Sequence, residues 1–267
     1  MLPAILLYIV IFLYGIVIGS FLNVLIYRIP KKENIVTTRS HCMNCGYQLQ
    51  WYDLVPLFSY LALGGRCRKC KAHISAQYPV IEALNGVLYL LVFWKFGMSV
   101  DSLVYCLLFS ALLALSVIDF RTYEIPVGFN LFILTLGLIH CVCHYTNWLD
   151  YLIGFLCVSV FLLILYYATG GRAIGGGDVK LMGACGFVLG VWPGLIQAVL
   201  SLSLAVLVGL VECRLQKQPL SMVRIFTGMY HRFRDPSDPY ESKRRRTCPR
   251  HGAVSLRRGG NRCPVGQ

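Results

Sequence analysis

The sequence predicts an all-α protein, a polytopic transmembrane helix bundle of about seven spans with a small cytosolic zinc-binding loop domain between spans 1 and 2. Two observations on the 267 residues support this fold class. Hydrophobic residues make up 57% of the chain and charged residues only 14%, whereas soluble globular proteins contain about 25% charged residues. The charges are also confined to a few segments, which leaves long uncharged runs. Such a chain cannot cover a soluble surface, so we expect most of it to lie in lipid.

The uncharged runs give the predicted spans. A helix needs about 20 apolar residues to cross the hydrocarbon core, and residues 2–27 contain no charged residue. Basic residues follow this run, whereas in a signal peptide they would precede it, so we expect the first helix to be retained. The further predicted spans are residues 81–97, 102–119, 125–144, 149–169, 179–192 and 195–212. The last two come from one uncharged run that we expect to break at Pro193-Gly194.

The distribution of Lys and Arg predicts the orientation, since cytosolic connections carry an excess of basic residues. Alternating through the spans places 24 of the 25 basic residues on one face, which we therefore expect to be cytosolic, with the N-terminus outside. The predicted domains are a first transmembrane helix (1–27), a cytosolic cysteine loop (28–80), a membrane bundle (81–212) and a basic, disordered cytosolic tail (213–267). Anionic lipid headgroups attract such a tail. We expect no nucleic-acid partner, because no aromatic residue alternates with Arg244, Arg245 and Arg246.

Two C-x-x-C pairs, separated by 21 residues, stand in the predicted cytosolic loop. They are Cys42, Cys45, Cys67 and Cys70. This arrangement is typical of a tetrathiolate zinc site, because the two-residue spacer lets both sulfurs of a pair face one tetrahedral ion. The reducing cytosol disfavours disulfides. Free thiols or a redox pair are the alternatives to zinc, and His41 or His73 could replace one of the cysteine ligands.

Two acidic residues interrupt apolar sequence where charge is costly. Asp119 follows the uncharged run 102–118, and Asp178 lies in the segment Gly175-Gly176-Gly177-Asp178-Val179-Lys180. Ionisable residues at membrane depth usually face a partner or a water-filled cavity. The predicted topology puts both at the same face, so they can meet. Two carboxylates in one site share a proton, which is the design of aspartic proteases. Taken singly, Asp119 or Asp178 could be an interfacial residue that reaches water. We interpret Asp101 in that way, and we expect Glu82 to partner a helix N-terminus.

A series of motifs occurs in a fixed order along the chain. They are Gly19-Ser20-Phe21-Leu22-Asn23-Val24, Tyr27-Arg28-Ile29-Pro30, the two C-x-x-C pairs, Tyr78-Pro79 with Glu82, Asp119 with Ile125-Pro126, and Gly175-Gly176-Gly177-Asp178-Val179-Lys180-Leu181. Over roughly residues 15–212 the chain resembles the bacterial type IV prepilin peptidases, which belong to the G-x-G-D class of intramembrane aspartic proteases. Members of that family continue with another apolar segment where residues 213–267 are polar and rich in Arg.

The resemblance implies a function and a location. It implies that Asp119 and Asp178 are the catalytic pair, that Gly175, Gly176, Gly177 and Lys180 belong to the active-site loop, and that the substrates are prepilins or pseudopilins. Their basic leader would be removed at the cytosolic face of the bacterial inner membrane, in which the protein is multi-pass. The resemblance also implies N-methylation of the new N-terminus from S-adenosylmethionine, an activity associated with the zinc loop. It leaves the residues that bind the methyl donor unknown.

Two other classes of function fit the same residues. In an ion-coupled membrane transporter the two aspartates would relay ions, although transport sites usually lie near the middle of the membrane. In a zinc-organised membrane scaffold the aspartates would be merely interfacial. Cleavage of a leader-bearing peptide separates both alternatives from the peptidase.

Overall fold

The computed structural model describes residues 2–35, 39–42, 44–122, 124–171 and 174–216. Within them the chain forms eight α-helices and two short 3-10 turns, Trp51–Leu54 and Tyr145–Asn147, and no β-strand. The helices are α1 (Leu2–Lys31), α2 (Phe58–Ala62), α3 (Gln77–Phe96), α4 (Val100–Thr122), α5 (Val127–Cys143), α6 (Trp148–Ala168), α7 (Gly176–Leu189) and α8 (Val191–Gln216). The prediction of an all-α bundle with a cysteine loop between its first two long helices is confirmed.

Five helices are long and apolar enough to cross a membrane, namely α1, α3, α4, α6 and α8. The sequence predicted seven spans, and the two others are shorter. Helix α5 has 17 residues and α7 has 14, and at 1.5 Å per residue α7 is about 21 Å long, less than the roughly 30 Å hydrocarbon core. Seven of the α7 residues are buried. Helix α7 therefore packs among other helices.

The break between α7 and α8 was predicted at the wrong place. The chain turns at Gly190, where φ is +83°, and α8 already begins at Val191. Pro193 lies in the first turn of α8, where the missing N–H of a proline would have had no partner in the helix anyway. A glycine adopts this φ without the steric cost that a side chain would add. Helix α8 continues to Gln216, four residues into the segment predicted as the tail, and residues 217–267 of that segment lie outside the described part of the chain.

Helices α1 and α3 cross with their backbones in near contact. A Cβ atom added to Gly15 would lie 2.7 Å from Cα of Gly86, and one added to Gly19 would lie 2.8 Å from Cα of Glu82. Asn85 is fully buried at this crossing and donates to the carbonyl of Gly15 at 2.7 Å. Small residues allow such close approach between membrane helices. The crossing fixes the end of α1 beside the start of α3.

A second close crossing joins α6 to α7. Gly154 lies against the backbone of Gly186 and Gly190, where an added Cβ would come within 2.6–2.8 Å. The main apolar core is formed by α1, α3, α4, α5 and α7, and Ile118, Ile133 and Val188 are among its fully buried members. This core places the end of α4 near the start of α7.

Candidate active site and metal site

Asp119 lies near the C-terminal end of α4, directly after the buried Ile118. Its side chain is partly buried. Its Oδ1 atom is buried and has no hydrogen-bond partner among the described residues. An unpaired buried carboxylate oxygen costs free energy, so this atom is well suited to contact a partner or substrate that supplies a proton.

Asp178 lies in the first turn of α7, which begins at Gly176. Its Oδ2 atom accepts a hydrogen bond of 3.2 Å from the backbone N–H of Gly175. The carboxylate thus satisfies one of the free N–H groups at the helix start, where negative charge is favoured. Asp178 also lines a small cavity of about 40 Å³, otherwise almost entirely apolar, between α6, α7 and α8. Such a cavity is large enough for a water molecule.

The two carboxylates lie near enough to interact electrostatically. Asp119 lies near the end of α4 and Asp178 near the start of α7. The loop that contains Ile125 connects α4 to α5 beside them. A Cβ atom added to Gly177 would lie 3.3 Å from Cδ1 of Ile125, whereas one added to Gly176 would meet nothing within 4 Å. The glycine segment therefore permits one close contact and leaves open space next to Asp178. Lys180 is exposed on α7.

The two cysteine pairs adopt the same backbone conformation. The N–H of Cys42 donates to the carbonyl of Tyr47, and the N–H of Cys67 donates to Ala72, both at 2.8 Å. Four residues after each of these cysteines, Gly46 and Lys71 have φ near +69° and +57°. Antiparallel bridges pair His41 with Gln48 and Arg66 with His73. The loop thus contains two equivalent hairpins that face each other. The backbones of His41 and His73 belong to them, and neither imidazole is among the clustered metal-ligating side chains.

The four sulfur atoms lie within 4.8 Å of one another, and Sγ of Cys42 is 3.8 Å from Sγ of Cys70. In a tetrahedral site with Zn–S bonds of about 2.3 Å the sulfurs are about 3.8 Å apart. The backbone N–H of Ala72 lowers the pKa of the Cys70 thiol to about 6. For Cys45, burial and the neighbouring thiols outweigh the Tyr47 N–H and raise the pKa to about 11. The cluster could hold a zinc ion, whose charge would let all four thiolates coexist.

A charge pair with a buried carboxylate and a half-exposed guanidinium supports the hairpins from the side. The Asp53 carboxylate is almost fully buried and accepts a hydrogen bond from Nε of Arg68 at 2.8 Å. Its other oxygen accepts from the N–H of Gln50 at 3.3 Å. Arg68 stands between the second pair of cysteines and lies over the ring of Tyr52. The contact ties the 3-10 turn Trp51–Leu54 to the second hairpin.

A cavity of about 380 Å³ lies between the end of α1, the cysteine loop and the start of α3. Its buried polar lining includes Asn23, Arg28, Asp53 and Glu82. Asn23 donates from Nδ2 to the carbonyl of Tyr78 at 3.1 Å, and its buried Oδ1 atom has no partner among the described residues. Cavities that bind small molecules have this size, with a few polar groups that fix the ligand.

Glu82 holds a strained turn in the wall of that cavity. Its Oε2 atom accepts from the N–H of Leu57 at 2.7 Å. Leu57 has φ 58° and ψ −52°, and Phe58 donates to the carbonyl of Pro56, which defines a rare and strained γ-turn. Glu82 was expected to partner a helix N-terminus, and the helix start that it contacts is that of α2, which Leu57 precedes, whereas its own helix α3 begins five residues earlier, at Gln77. The spacing of Asn23, Arg28 and Glu82 in the sequence gave no indication that they share a cavity.

The fold and these sites define a class of protein, a multi-helix membrane protein with two acidic residues within electrostatic range of each other at one end of its bundle and a tetracysteine loop. Two family models match successive parts of this chain. The bacterial peptidase A24 N-terminal domain matches residues 13–96, and the type IV leader peptidase family matches residues 106–211. The chain belongs to the type IV leader peptidase family.

Several relatives are similar along most of their length, and each is named prepilin leader peptidase/N-methyltransferase. The protein from Pseudomonas putida is 31% identical over 79% of this chain and 83% of its own. The protein from Burkholderia pseudomallei strain 1026b is 34% identical over 72% of this chain and 71% of its own. The protein from Pseudomonas aeruginosa is 33% identical over 74% and 76%. No solved structure gives a significant match.

Proposed function

We propose that this chain is a membrane-embedded aspartic endopeptidase that removes the basic leader of type IV prepilins or pseudopilins. The proposal rests on two aspartates, Asp119 and Asp178, that lie within electrostatic range of each other at one end of the bundle of a type IV leader peptidase family member. The names of the relatives support the same reaction. The transporter and scaffold alternatives are not favoured, because neither accounts for the family.

The chemistry requires one proton shared by the two carboxylates, since both cannot ionise easily at short range. The ionised member takes a proton from a water molecule as the water oxygen attacks the scissile carbonyl carbon. The protonated member then gives its proton to the leaving amine as the C–N bond breaks. The unpaired Oδ1 of Asp119 is available for such a proton transfer, and the cavity beside Asp178 has room for a water molecule.

The site is proposed to lie at the cytosolic face of the bacterial inner membrane. Of the 25 basic residues, 24 fall on the side of the carboxylates when the predicted spans alternate, and basic connections are retained in the cytosol. A prepilin with a basic leader followed by an apolar helix would present its cleavage site where that helix leaves the lipid. Both aspartates lie near helix ends, which is the position that such a cleavage site would require.

Cleavage of a leader-bearing prepilin peptide by the purified protein in detergent, followed by mass spectrometry, tests this proposal. Asp119→Asn and Asp178→Asn should each reduce kcat by about 100- to 10,000-fold, the usual contribution of a general acid or base. Asp150→Asn is a matched control, because Asp150 is an exposed acid at the other end of the bundle. Wild-type turnover by either of the first two variants would exclude the carboxylate pair.

The chain is also proposed to methylate the new N-terminus, with S-adenosylmethionine as donor. The 380 Å³ cavity would hold the donor, because it combines ligand size with buried groups of both charges, and its Asn23 Oδ1 is free to accept from a ligand N–H or O–H. Glu82 and Arg28 would position the donor, which supplies an electrophilic methyl group when bound. Zinc held by the four cysteines would fix the wall of the cavity that Cys42 and Cys67 line.

Asn23→Leu tests the cavity without touching the carboxylates. Leucine has a similar volume and lacks the unpaired oxygen, so donor binding should weaken by at least about 10-fold, as for loss of one good hydrogen bond to a buried group. Isothermal titration with the donor and the methyl increment of cleaved peptide measure this loss. Gln48→Leu, at an exposed loop position outside the cavity, serves as control. Unchanged donor affinity in Asn23→Leu would place the donor elsewhere.

A further inference from the structure

A second cluster of metal-ligating side chains lies at the opposite end of the bundle from the carboxylate pair. Asp101 stands in the first turn of α4, and His140 and His144 lie one turn apart at the end of α5. The ligand atoms of these three side chains lie within 4.8 Å of one another. Asp119 is 18 residues further along α4, about 27 Å at 1.5 Å per residue. The cluster is therefore separate from the proposed catalytic site.

The hydrogen bonds fix which nitrogen of each imidazole carries a proton. Nδ1 of His140 lies 2.9 Å from the carbonyl oxygen of Val188, and Nδ1 of His144 lies 3.3 Å from the carbonyl oxygen of His140. A carbonyl oxygen can only accept, so both Nδ1 atoms must donate. In each neutral ring, Nε2 then presents a lone pair.

Both lone pairs face the same carboxylate oxygen. Nε2 of His140 lies 3.3 Å from Oδ1 of Asp101, and Nε2 of His144 lies 3.6 Å from it. That oxygen is buried and receives no hydrogen bond from the described residues. Three acceptors that converge in this way repel one another unless a cation lies among them. The cation is either a proton on an imidazole or a metal ion.

The distances match those within a metal coordination shell. In a tetrahedral zinc site with bonds of about 2.0–2.2 Å to His nitrogen and carboxylate oxygen, ligand atoms are about 3.3–3.6 Å apart. Metal-bound histidines also typically donate their other N–H to a carbonyl or carboxylate, as both rings do here. His140 is buried, whereas the side chains of Asp101 and His144 are 31% and 39% exposed. The cluster is thus open to solvent on one side.

We propose that Asp101, His140 and His144 form a second metal site, distinct from the cysteine cluster, that takes Zn²⁺ or another divalent first-row ion with a water molecule as fourth ligand. Imidazole and carboxylate ligands suit such ions. The ion would tie the start of α4 to the end of α5, and through the Val188 carbonyl it would also fix the end of α7. It would lie on the face that is predicted to be outside.

Cobalt binding to the full-length protein in detergent tests the site, because Co²⁺ replaces zinc and reports its ligands. Wild-type protein should bind two ions per chain, one in each cluster, and only the cysteine cluster gives a sulfur-to-cobalt charge-transfer band. His144→Ala and Asp101→Asn should each lose one ion, or bind it at least about 100-fold more weakly, with the charge-transfer band unchanged. Cys143→Ser, which changes an exposed thiol beside His144, should still bind two.

Two results would overturn the proposal. One is equal cobalt stoichiometry in wild type, His144→Ala and Asp101→Asn. The other is a proton-only pair, recognised when the imidazole ¹⁵N signals titrate with pH and do not respond to added Zn²⁺ or Co²⁺. Because Asp101→Asn preserves the size of the side chain, it decides the question if His144→Ala does not fold.

Discussion

Substituting Gly19 by alanine should separate methylation from cleavage. The new Cβ would lie 2.8 Å from Cα of Glu82 and 3.3 Å from its carbonyl oxygen. Carbon atoms in contact normally lie about 3.5–4.0 Å apart, so α1 and α3 must separate by about 1 Å at this level. Overpacking of this kind costs about 1–3 kcal/mol, and alanine returns about 1 kcal/mol of helix propensity. We expect a net loss of about 0–2 kcal/mol in the free energy of unfolding.

The functional effect should be larger than the effect on stability. The displaced Glu82 holds Leu57 by a 2.7 Å hydrogen bond in the cavity wall, and a misplacement of about 1 Å can reduce a rate by about 100-fold. Methyl transfer should therefore fall by about 10- to 100-fold, while cleavage stays near the wild-type rate because the aspartates lie on α4 and α7. Mass spectrometry of one prepilin peptide measures both activities.

A matched glycine provides the control for this substitution. Gly128 lies in the first turn of α5, and a Cβ atom added there meets nothing within 4 Å, so Gly128→Ala should leave both activities unchanged. The reasoning is refuted if Gly19→Ala methylates cleaved peptide at the wild-type rate, or if cleavage and methylation fall together by the same factor.

Three further substitutions address the zinc loop and the buried polar groups. Cys67→Ser removes the most buried of the four sulfurs and should release zinc and expose the loop to protease; unchanged zinc content would disprove the tetrathiolate site. Asp53→Asn removes the negative charge from the partner of Arg68 and should speed proteolysis of the loop by a factor of only a few, because Arg68 is half exposed and solvent screens its charge. No change would mean that the pair does not order the hairpins. Ser110→Ala removes the hydroxyl that lies 2.8 Å from Asn85 Oδ1 and 3.2 Å from the Tyr89 hydroxyl, and it should reduce the free energy of unfolding by about 1–3 kcal/mol. A denaturation series should detect this loss. Ser116→Ala, at an exposed position of the same helix, should not produce it.

The features that the sequence predicted are those that depend on neighbouring residues or on a strong spacing rule. Uncharged runs located the helices, and the C-x-x-C spacing located the sulfurs that the structure brings together. The turn at Gly190 was missed because Pro193-Gly194 is the stronger local signal for a break, although proline is well tolerated in a first helical turn. The predicted span 179–192 has the same length of 14 residues as α7, Gly176–Leu189, and its position was wrong by three residues because the break was misplaced.

Contacts between segments that are distant in the chain could not be predicted from the sequence. Nothing local indicates that Gly15 and Gly19 face Gly86 and Glu82, nor that Asn23 lines a cavity with the cysteine loop. The cluster of Asp101 with two histidines was also missed, and Asp101 was interpreted as an isolated interfacial acid. A signal was available, because His140 and His144 are four residues apart and therefore share one face of α5. Their partner on α4 is 39 positions away from His140 and emerges only from helix packing.

A double-mutant cycle on kcat/KM for prepilin cleavage measures whether Asp119 and Asp178 act as one catalytic unit. Groups that act as a unit show strongly non-additive losses. If the aspartates share one proton and one reaction, the Asp119→Asn/Asp178→Asn double variant should lose no more activity than the worse of the two single variants. Losses that multiply, so that each aspartate contributes independently, would contradict the shared site.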